Sequence, residues 1–233
     1  MTHGNRILAC YGKWVLLLVF FSTLGAVPAL ADARLSGILE EIKAYYGSLP
    51  GLTVSYERDI VSRSMAMLGQ GMKTDLASGL LHFKPPHFLR MQQKMPKPED
   101  VITDGEILWW VIHDKNRVYR YPSHKLGKEL KVLGDIFQGL RDVEGSFDIA
   151  LKAYGVEEGH LIELRPNPSW PEVDHIIVTV DPETSLIRRV GIYNPLGGRT
   201  RFTLGPLTVR DRFGKKFFTF DIPEGMKVIE EGG

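Results

Sequence analysis

Short strand-like segments separated by turns recur along most of this chain, and residues 79–110 show the pattern most clearly. Pro85-Pro86 ends one such segment, because proline cannot donate a hydrogen bond to a central ladder. Asp104-Gly105 separates two others, and this pair suits the positive φ of a hairpin corner. Apolar runs bounded by such turns predict a β-sheet.

Further strands are predicted at a spacing of about ten residues, which is typical of an antiparallel sheet. The first begins at Leu52, where Val54, Tyr56 and Ile60 alternate with polar residues. The other predicted strands are Ala66–Met72, Leu80–Lys84, Phe88–Met95, Ile107–Ile112, Arg117–Tyr121, Phe147–Tyr154, His160–Arg165, His175–Val180, Leu186–Tyr193, Thr200–Leu207 and Lys216–Phe220.

Two segments have helical spacing instead. Residues 35–46 place their apolar side chains on one stripe, and Gly47 and Pro50-Gly51 end it. This helix is either an ordinary core helix or one that covers a ligand. Residues 125–142 place a second apolar set at helical spacing, namely Leu126, Leu130, Leu133, Phe137 and Leu140. Three glycines weaken this helix by about 1 kcal/mol each relative to Ala, so we expect short pieces that are held by tertiary contact and are able to move.

The first 31 residues are typical of a cleavable export signal. Arg6 and Lys13 accompany the apolar run Trp14–Phe21, and Val27–Ala31 ends in the small-x-small pattern that signal peptidase reads. The run is shorter than the about 20 residues of a membrane span, although an uncleaved anchor is the alternative. Cys10 precedes the apolar run, which is the wrong order for a lipidation site.

The predicted mature chain, residues 32–233, is interpreted as one domain, since β-barrels commonly reach about 200–250 residues. The leader holds two of the 29 basic residues and none of the 28 acidic ones, so the mature chain has a net charge of −1. This charge argues against nucleic acid as a partner. Because the mature part contains no cysteine, its core alone must stabilise it.

The sequence shows no recognisable catalytic or metal-binding constellation. Six histidines follow the leader, and their spacing fits no metal site: His82, His87, His113, His124, His160 and His175. There is no Gly-x-Ser-x-Gly elbow, phosphate loop or dinucleotide fingerprint. We therefore expect a protein that is not an enzyme and that needs no metal or other cofactor.

Large apolar side chains are abundant. They include Trp109, Trp110, Trp170, Met65, Met67, Met72, Met91 and Met95. Such residues build an ordinary core, and methionine also builds adaptable binding surfaces. Composition alone leaves both interpretations open.

Three motifs stand in order: Gly-x-Leu-x-Phe-Lys-Pro-x-x-Phe from Gly79, Val-Ile-Thr-Asp-Gly-x-x-Leu-Trp-Trp from Val101, and the segment Phe217–Val228. Together they resemble the LolA-type family of periplasmic outer-membrane lipoprotein carriers. The resemblance implies a mainly β (α+β) fold, an unclosed antiparallel β-barrel with a helical lid over its concave face.

The resemblance also implies a function. It implies a monomeric chaperone in the periplasm of a Gram-negative-type bacterium, which shields the acyl chains of lipoproteins. Such a chaperone receives acylated lipoproteins from an inner-membrane ABC-type release complex and passes them to an outer-membrane acceptor. The alternative is a lipid- or lipoprotein-sensing module on the same fold that regulates another protein.

The resemblance assigns roles to particular residues. Lys84 occupies a position where the best-known members carry Arg, which is thought to hold the lid shut by bonding backbone carbonyls of the lid helices. Lysine would hold the lid less firmly, and a solvated strand-end lysine is the alternative. Phe88 matches an aromatic position that helps accept cargo. The other candidate cavity and lid residues are Met91, Trp109, Trp110, Leu126, Leu130 and Phe137. Because side chains alternate along a strand, only one of the two tryptophans can line the cavity.

Overall fold

The computed structural model describes residues 26–62, 75–122, 128–140, 143–157 and 159–230. The helices are α1 (Ala26–Gly47) and α2 (Lys128–Phe137), with 3-10 turns at His113–Lys115 and Val143–Gly145. The strands are β1 (Leu52–Val61), β2 (Asp75–Lys84), β3 (Phe88–Met95), β4 (Glu99–Thr103), β5 (Ile107–Ile112), β6 (Arg117–Pro122), β7 (Phe147–Val156), β8 (Gly159–Pro166), β9 (His175–Val180), β10 (Ile187–Tyr193), β11 (Arg199–Val209) and β12 (Lys227–Glu230).

These twelve strands form one sheet, in the order β12-β6-β5-β4-β3-β2-β1-β11-β10-β9-β8-β7. Its pairings are antiparallel except that of β12 with β6, which is parallel. In the described part of the chain β12 and β7 remain the two ends of the sheet, so the barrel is unclosed. The predicted mainly β architecture is confirmed.

The strand register gives the sheet two different faces. Leu52, Val54 and Tyr56 point to one face, where each is at most 3% exposed. Their partners Phe83 and Leu81 on β2 share that face. We call it the inner face, because the apolar residues of both helices pack into the same core cluster, and we call the opposite face the outer face.

The helices lie over the inner face and form the predicted lid. α1 ends at Gly47, as the sequence predicts. Among the described residues of the segment 125–142, α2 is one ten-residue helix that ends before Gly139 but, contrary to expectation, is not interrupted at Gly134. The reason is tertiary: Leu133, Ile136 and Phe137 are at most 1% exposed, and burying such side chains outweighs the cost of one helical glycine.

Some strand predictions need correction. Lys216–Phe220 is not a strand but a series of turns, with the Phe217 N–H bonded to the carbonyl of Gly214 at 3.0 Å. Phe218 is buried, and Phe217 and Phe220 are half-buried, by packing against the sheet rather than by joining it. The sequence also failed to indicate β4 and β12, two of the shorter strands. The predicted strand Ala66–Met72 lies outside the described residues.

Residues 1–25, which hold most of the predicted export signal, also lie outside the described part. Among the residues that the structure describes, neither helix has the length and apolar character needed to cross a membrane.

Candidate functional site

Tyr46 of α1 connects the lid to the sheet. Its side chain is 1% exposed, and its ring centroid lies 6.5 Å from that of Phe137 on α2. Its hydroxyl accepts a hydrogen bond from the backbone N–H of Ile187 at 3.0 Å. Burial raises the pKa of Tyr46 to about 12, so the phenol is neutral at physiological pH.

The two helices also contact each other closely at Gly139, just beyond α2. A Cβ at this position would lie 3.0 Å from the Ile42 carbonyl oxygen and 3.0 Å from the Lys43 Cα. Gly139 has φ of +77°, which glycine adopts without strain. α1 and α2 therefore form one lid unit rather than two separate covers.

Apart from the buried hydrogen bond of Tyr46, the polar contacts described between α1 and the sheet side of the molecule are exposed. Ser185 Oγ donates to Glu41 Oε2 at 2.7 Å, and Lys43 Nζ lies 3.7 Å from Glu144 Oε1. The Arg34 guanidinium lies 4.6 Å from the centre of the Tyr154 ring. Exposed ion pairs contribute at most about 1 kcal/mol, so apolar packing supplies most of the lid's adhesion.

The inner face of β5 and β6 carries an aromatic ladder, formed by Trp110, Tyr119 and Tyr121. Trp110 and Tyr119 stack with ring centroids 5.2 Å apart, and Tyr119 lies 6.3 Å from Tyr121. Trp110 Nε1 donates to Glu99 Oε2 at 2.9 Å, which orients the indole. All three rings are only half-buried. This part of the inner face is therefore an apolar surface with polar groups at its margin.

A groove of about 420 Å³ lies between the start of α1 and β7. Its apolar lining is Leu35, Leu39, Phe147 and Ile149, and its polar lining is Asp32, Ser36, Glu144 and Asp148. Its volume is in the range of sites that bind small molecules. In the described part of the chain β7 is one of the two edges of the sheet, so the groove lies at the side of the lid.

The outer face has an apolar layer of its own. Ile102, Val111 and Val118 are at most 1% exposed, although the register places them on the face away from the helices. Residues 210–226, which we call the strap, cross this face between β11 and β12. Phe218 of the strap lies 5.7 Å from Phe88, and Phe220 lies 5.8 Å from Trp109.

A partly buried polar network anchors the strap. Arg90 donates to the carbonyl of Phe217 at 3.1 Å and to Asp100 Oδ2 at 3.1 Å. The Phe217 ring lies 4.9 Å from the ring of His82, edge to face. The sequence analysis placed Arg90, Phe217 and Phe218 in predicted strands and did not indicate this contact between β3 and the strap, although the aromatic run itself was a visible signal.

The structure divides the predicted site residues between the two faces. Met91, Trp110 and Phe137 lie on the inner side, and Met91 and Phe137 belong to the core cluster. The register places Lys84, Phe88 and Trp109 on the outer side, with Lys84 Nζ 5.6 Å from the Phe88 ring centre. Leu126 and the side chain of Leu130 lie outside the described part. The roles of all these residues in cargo binding stay predictions.

The described residues contain no group of three or more His, Cys, Asp or Glu side chains that could hold a metal ion. On the described inner face, aliphatic and aromatic groups are in large excess over titratable ones.

Comparisons with known proteins agree with this geometry. The model of the family described as "Outer membrane lipoprotein carrier protein LolA" matches residues 66–221. The outer-membrane lipoprotein carrier protein of Pseudomonas aeruginosa is 22% identical over 219 residues, covering 91% of this chain and 97% of that protein. The protein of the same name from Pseudomonas putida is 24% identical over 223 residues, covering 93% and 98%. An uncharacterised conserved protein from Thermus thermophilus has a similar fold, with a TM-score of 0.52 at 8% identity over 84% of this chain and 99% of that one.

Proposed function

Because the chain belongs to the family of the outer membrane lipoprotein carrier protein LolA, we propose that it carries acylated lipoproteins across the periplasm. It would receive them from an inner-membrane ABC-type release complex and deliver them to an outer-membrane acceptor. Carriers of this family are binding proteins rather than enzymes, and we propose the same for this chain.

The hydrophobic effect explains why such a carrier is needed. Each CH₂ group of an acyl chain contributes about 0.8 kcal/mol to its preference for an apolar environment. A lipoprotein with long acyl chains would therefore not leave a membrane for water at a useful rate. A carrier needs an apolar surface large enough for those chains and a cover for that surface when it is empty, since large exposed apolar patches promote aggregation.

The observation that carries the proposal is the lid on the inner face. α1 and α2 cover an apolar sheet face, and the apolar surface continues beyond them as the aromatic ladder of β5 and β6. The lid is attached mainly by apolar contacts, which acyl chains can replace one for one. We propose that cargo displaces the lid and occupies its place.

The test is to export the full chain with its own leader, purify it from periplasm without detergent, and record native mass spectra. We expect co-purified acylated lipoprotein, or stoichiometric binding when a triacylated lipopeptide is added to the empty protein. A non-acylated peptide of the same sequence is the matched control and should not bind.

Two outcomes would contradict the carrier. Free fatty acid or phospholipid as the sole ligand, with no uptake of lipopeptide, would favour the lipid-sensing module on this fold. If the protein binds no acylated molecule at all, the inner face is an ordinary hydrophobic core rather than a binding surface.

A further inference from the structure

Arg58 is a charged side chain on the largely apolar inner face, which it shares with Gln93 of β3 and Glu99 of β4. It follows Tyr56 by two residues on β1, and its cross-strand partners are Phe202 on β11 and Ala77 on β2, which are 3% and 4% exposed. Strand alternation therefore directs its side chain to the same side as the core and the lid. Arg58 itself is only half-buried.

The guanidinium of Arg58 is incompletely satisfied. Nη2 donates to Gln93 Oε1 of β3 at 3.2 Å, a neutral acceptor. Nε is buried and has no hydrogen-bond partner among the described residues. Buried polar groups in folded proteins nearly always have a partner. Such an N–H therefore marks a place where the protein can donate a hydrogen bond to a ligand oxygen.

Position distinguishes Arg58 from comparable arginines. In the described chain the Nε atoms of Arg90 and Arg199 are also buried without a partner. Both of those residues lie on the outer face and neutralise carboxylates, Arg90 with Asp100 and Arg199 with Asp59. Arg58 alone of the three combines an unmet N–H, a neutral partner and a position on the face that the lid covers.

We propose that Arg58 is the polar anchor of the ligand site and binds the carbonyl oxygens that join acyl chains to a glycerol. A diacylglyceryl group has apolar chains and, at one end, two ester carbonyls that accept hydrogen bonds. The chains fit the inner face and its aromatic ladder, while the planar guanidinium presents several donors in a fixed geometry to the ester oxygens. The same group occurs in acylated lipoproteins and in phospholipids.

This assignment rests on the proposed function, because it places the head of the acylated cargo at β1 and its chains over the inner face. Gln93 serves to orient the guanidinium, since its Oε1 accepts from Nη2. Arg58 is a binding and positioning residue, and no chemical step is involved.

The experiment compares Arg58→Met with Arg199→Met, which removes an arginine of the outer face. Binding of a diacylglyceryl lipopeptide is measured by titration, beside phosphatidylglycerol and an apolar dye that has no ester group. We expect Arg58→Met to weaken binding of both diacylglyceryl ligands about tenfold, as for loss of one hydrogen bond to a charged group. It should leave the dye affinity unchanged, and Arg199→Met should change none of the three.

The remaining outcomes separate this inference from the proposed function. Equal lipopeptide affinity in wild type and Arg58→Met would overturn the anchor while keeping the carrier. No lipopeptide binding by wild type would overturn the proposed function, and with it the anchor. Arg58→Lys keeps the charge but loses Nε–H and the planar set of donors, so it should weaken lipopeptide binding about as much as Arg58→Met does. Wild-type affinity in Arg58→Lys would show that a charge alone suffices and would also overturn the anchor.

Discussion

His82 shows how a single residue links the sheet to the strap. It is 7% exposed on the outer side of β2, with Nδ1 2.8 Å from Thr53 Oγ1 and Nε2 3.0 Å from Gln92 Oε1. The amide oxygen accepts from Nε2–H, and when the imidazole is neutral the Thr53 hydroxyl donates to Nδ1. Burial lowers the pKa of His82 below its ordinary value, and the charges of Arg90 and Arg210 lower it further, against the opposing effect of the Gln92 hydrogen bond.

A pH dependence of stability follows from this shift. The unfolded chain binds a proton at His82 near pH 6.5, whereas the folded chain resists it, so the stabilisation is fully present above that pH and is lost as pH falls toward the folded pKa. We expect the free energy of unfolding in urea to fall between pH 7.5 and 5, with His82 contributing at most about 1.4 kcal/mol per pH unit. His82→Gln should flatten that decrease. If the unfolding free energy of His82→Gln falls with pH as steeply as that of the wild type, groups other than His82 cause the decrease.

At the scale of elements, local signals sufficed for most strands. β3 and β5 have the predicted bounds, because Pro and Asp-Gly turns mark their ends in the sequence itself. The single α2 helix and the strap were not predictable in this way, since both owe their conformation to distant partners. The alternation rule likewise placed Trp109 and Trp110 on opposite faces, but only the pairing of β5 with β4 shows that Trp110 is the inner one.

The strap should contribute to stability through Phe218 in particular. Its side chain is 7% exposed and lies 4.9 Å from the Phe213 ring and 5.7 Å from the Phe88 ring. Truncating such a buried phenylalanine costs about 3 kcal/mol, so we expect Phe218→Ala to lower the free energy of unfolding by about that amount. Amide exchange should accelerate first in residues 213–226, while α1 keeps its protection.

Ile222→Ala is the matched control on the same strap, because Ile222 is 46% exposed. Its cost should stay within about 0.5 kcal/mol, as for other surface substitutions. An equal loss of unfolding free energy in the two variants would mean that the ring contacts of Phe218 do not hold the strap to the sheet.

At the scale of the whole molecule, the sheet is covered on both faces, by the lid on the inner face and by the strap on the outer face, and the two covers are attached differently. The strap continues directly into β12, whose pairing with β6 ties its far end to the sheet. The lid has no strand of its own in the sheet, and it adheres mainly by side-chain packing, with one buried hydrogen bond from the Ile187 N–H to the Tyr46 hydroxyl. Under the proposed function the strap stabilises the sheet, whereas the lid is displaced by cargo.

A cross-link across the lid tests that division. Glu41 and Ser185 are in contact at 2.7 Å and exposed, and Cys10, the chain's one cysteine, lies in the predicted leader. Glu41→Cys combined with Ser185→Cys and joined by a short bis-maleimide should fix α1 to the β9–β10 turn. We expect the joined protein to lose at least about 90% of its lipopeptide uptake, because α1 can no longer leave the inner face, whereas the unjoined double variant should load normally. This loss corresponds to roughly 1.4 kcal/mol or more against the loaded state.

The matched control joins Arg120→Cys to Glu230→Cys, a pair 3.2 Å apart that connects β6 to β12 and does not touch the lid. This protein should load like wild type, since the proposed cargo path does not require β12 to separate from β6. If both joined proteins load, acyl chains reach the inner face without moving α1, and the groove beside β7 becomes the entry route. If neither joined protein takes up lipopeptide, loading also requires β12 to separate from β6. That result would contradict loading by displacement of the lid alone.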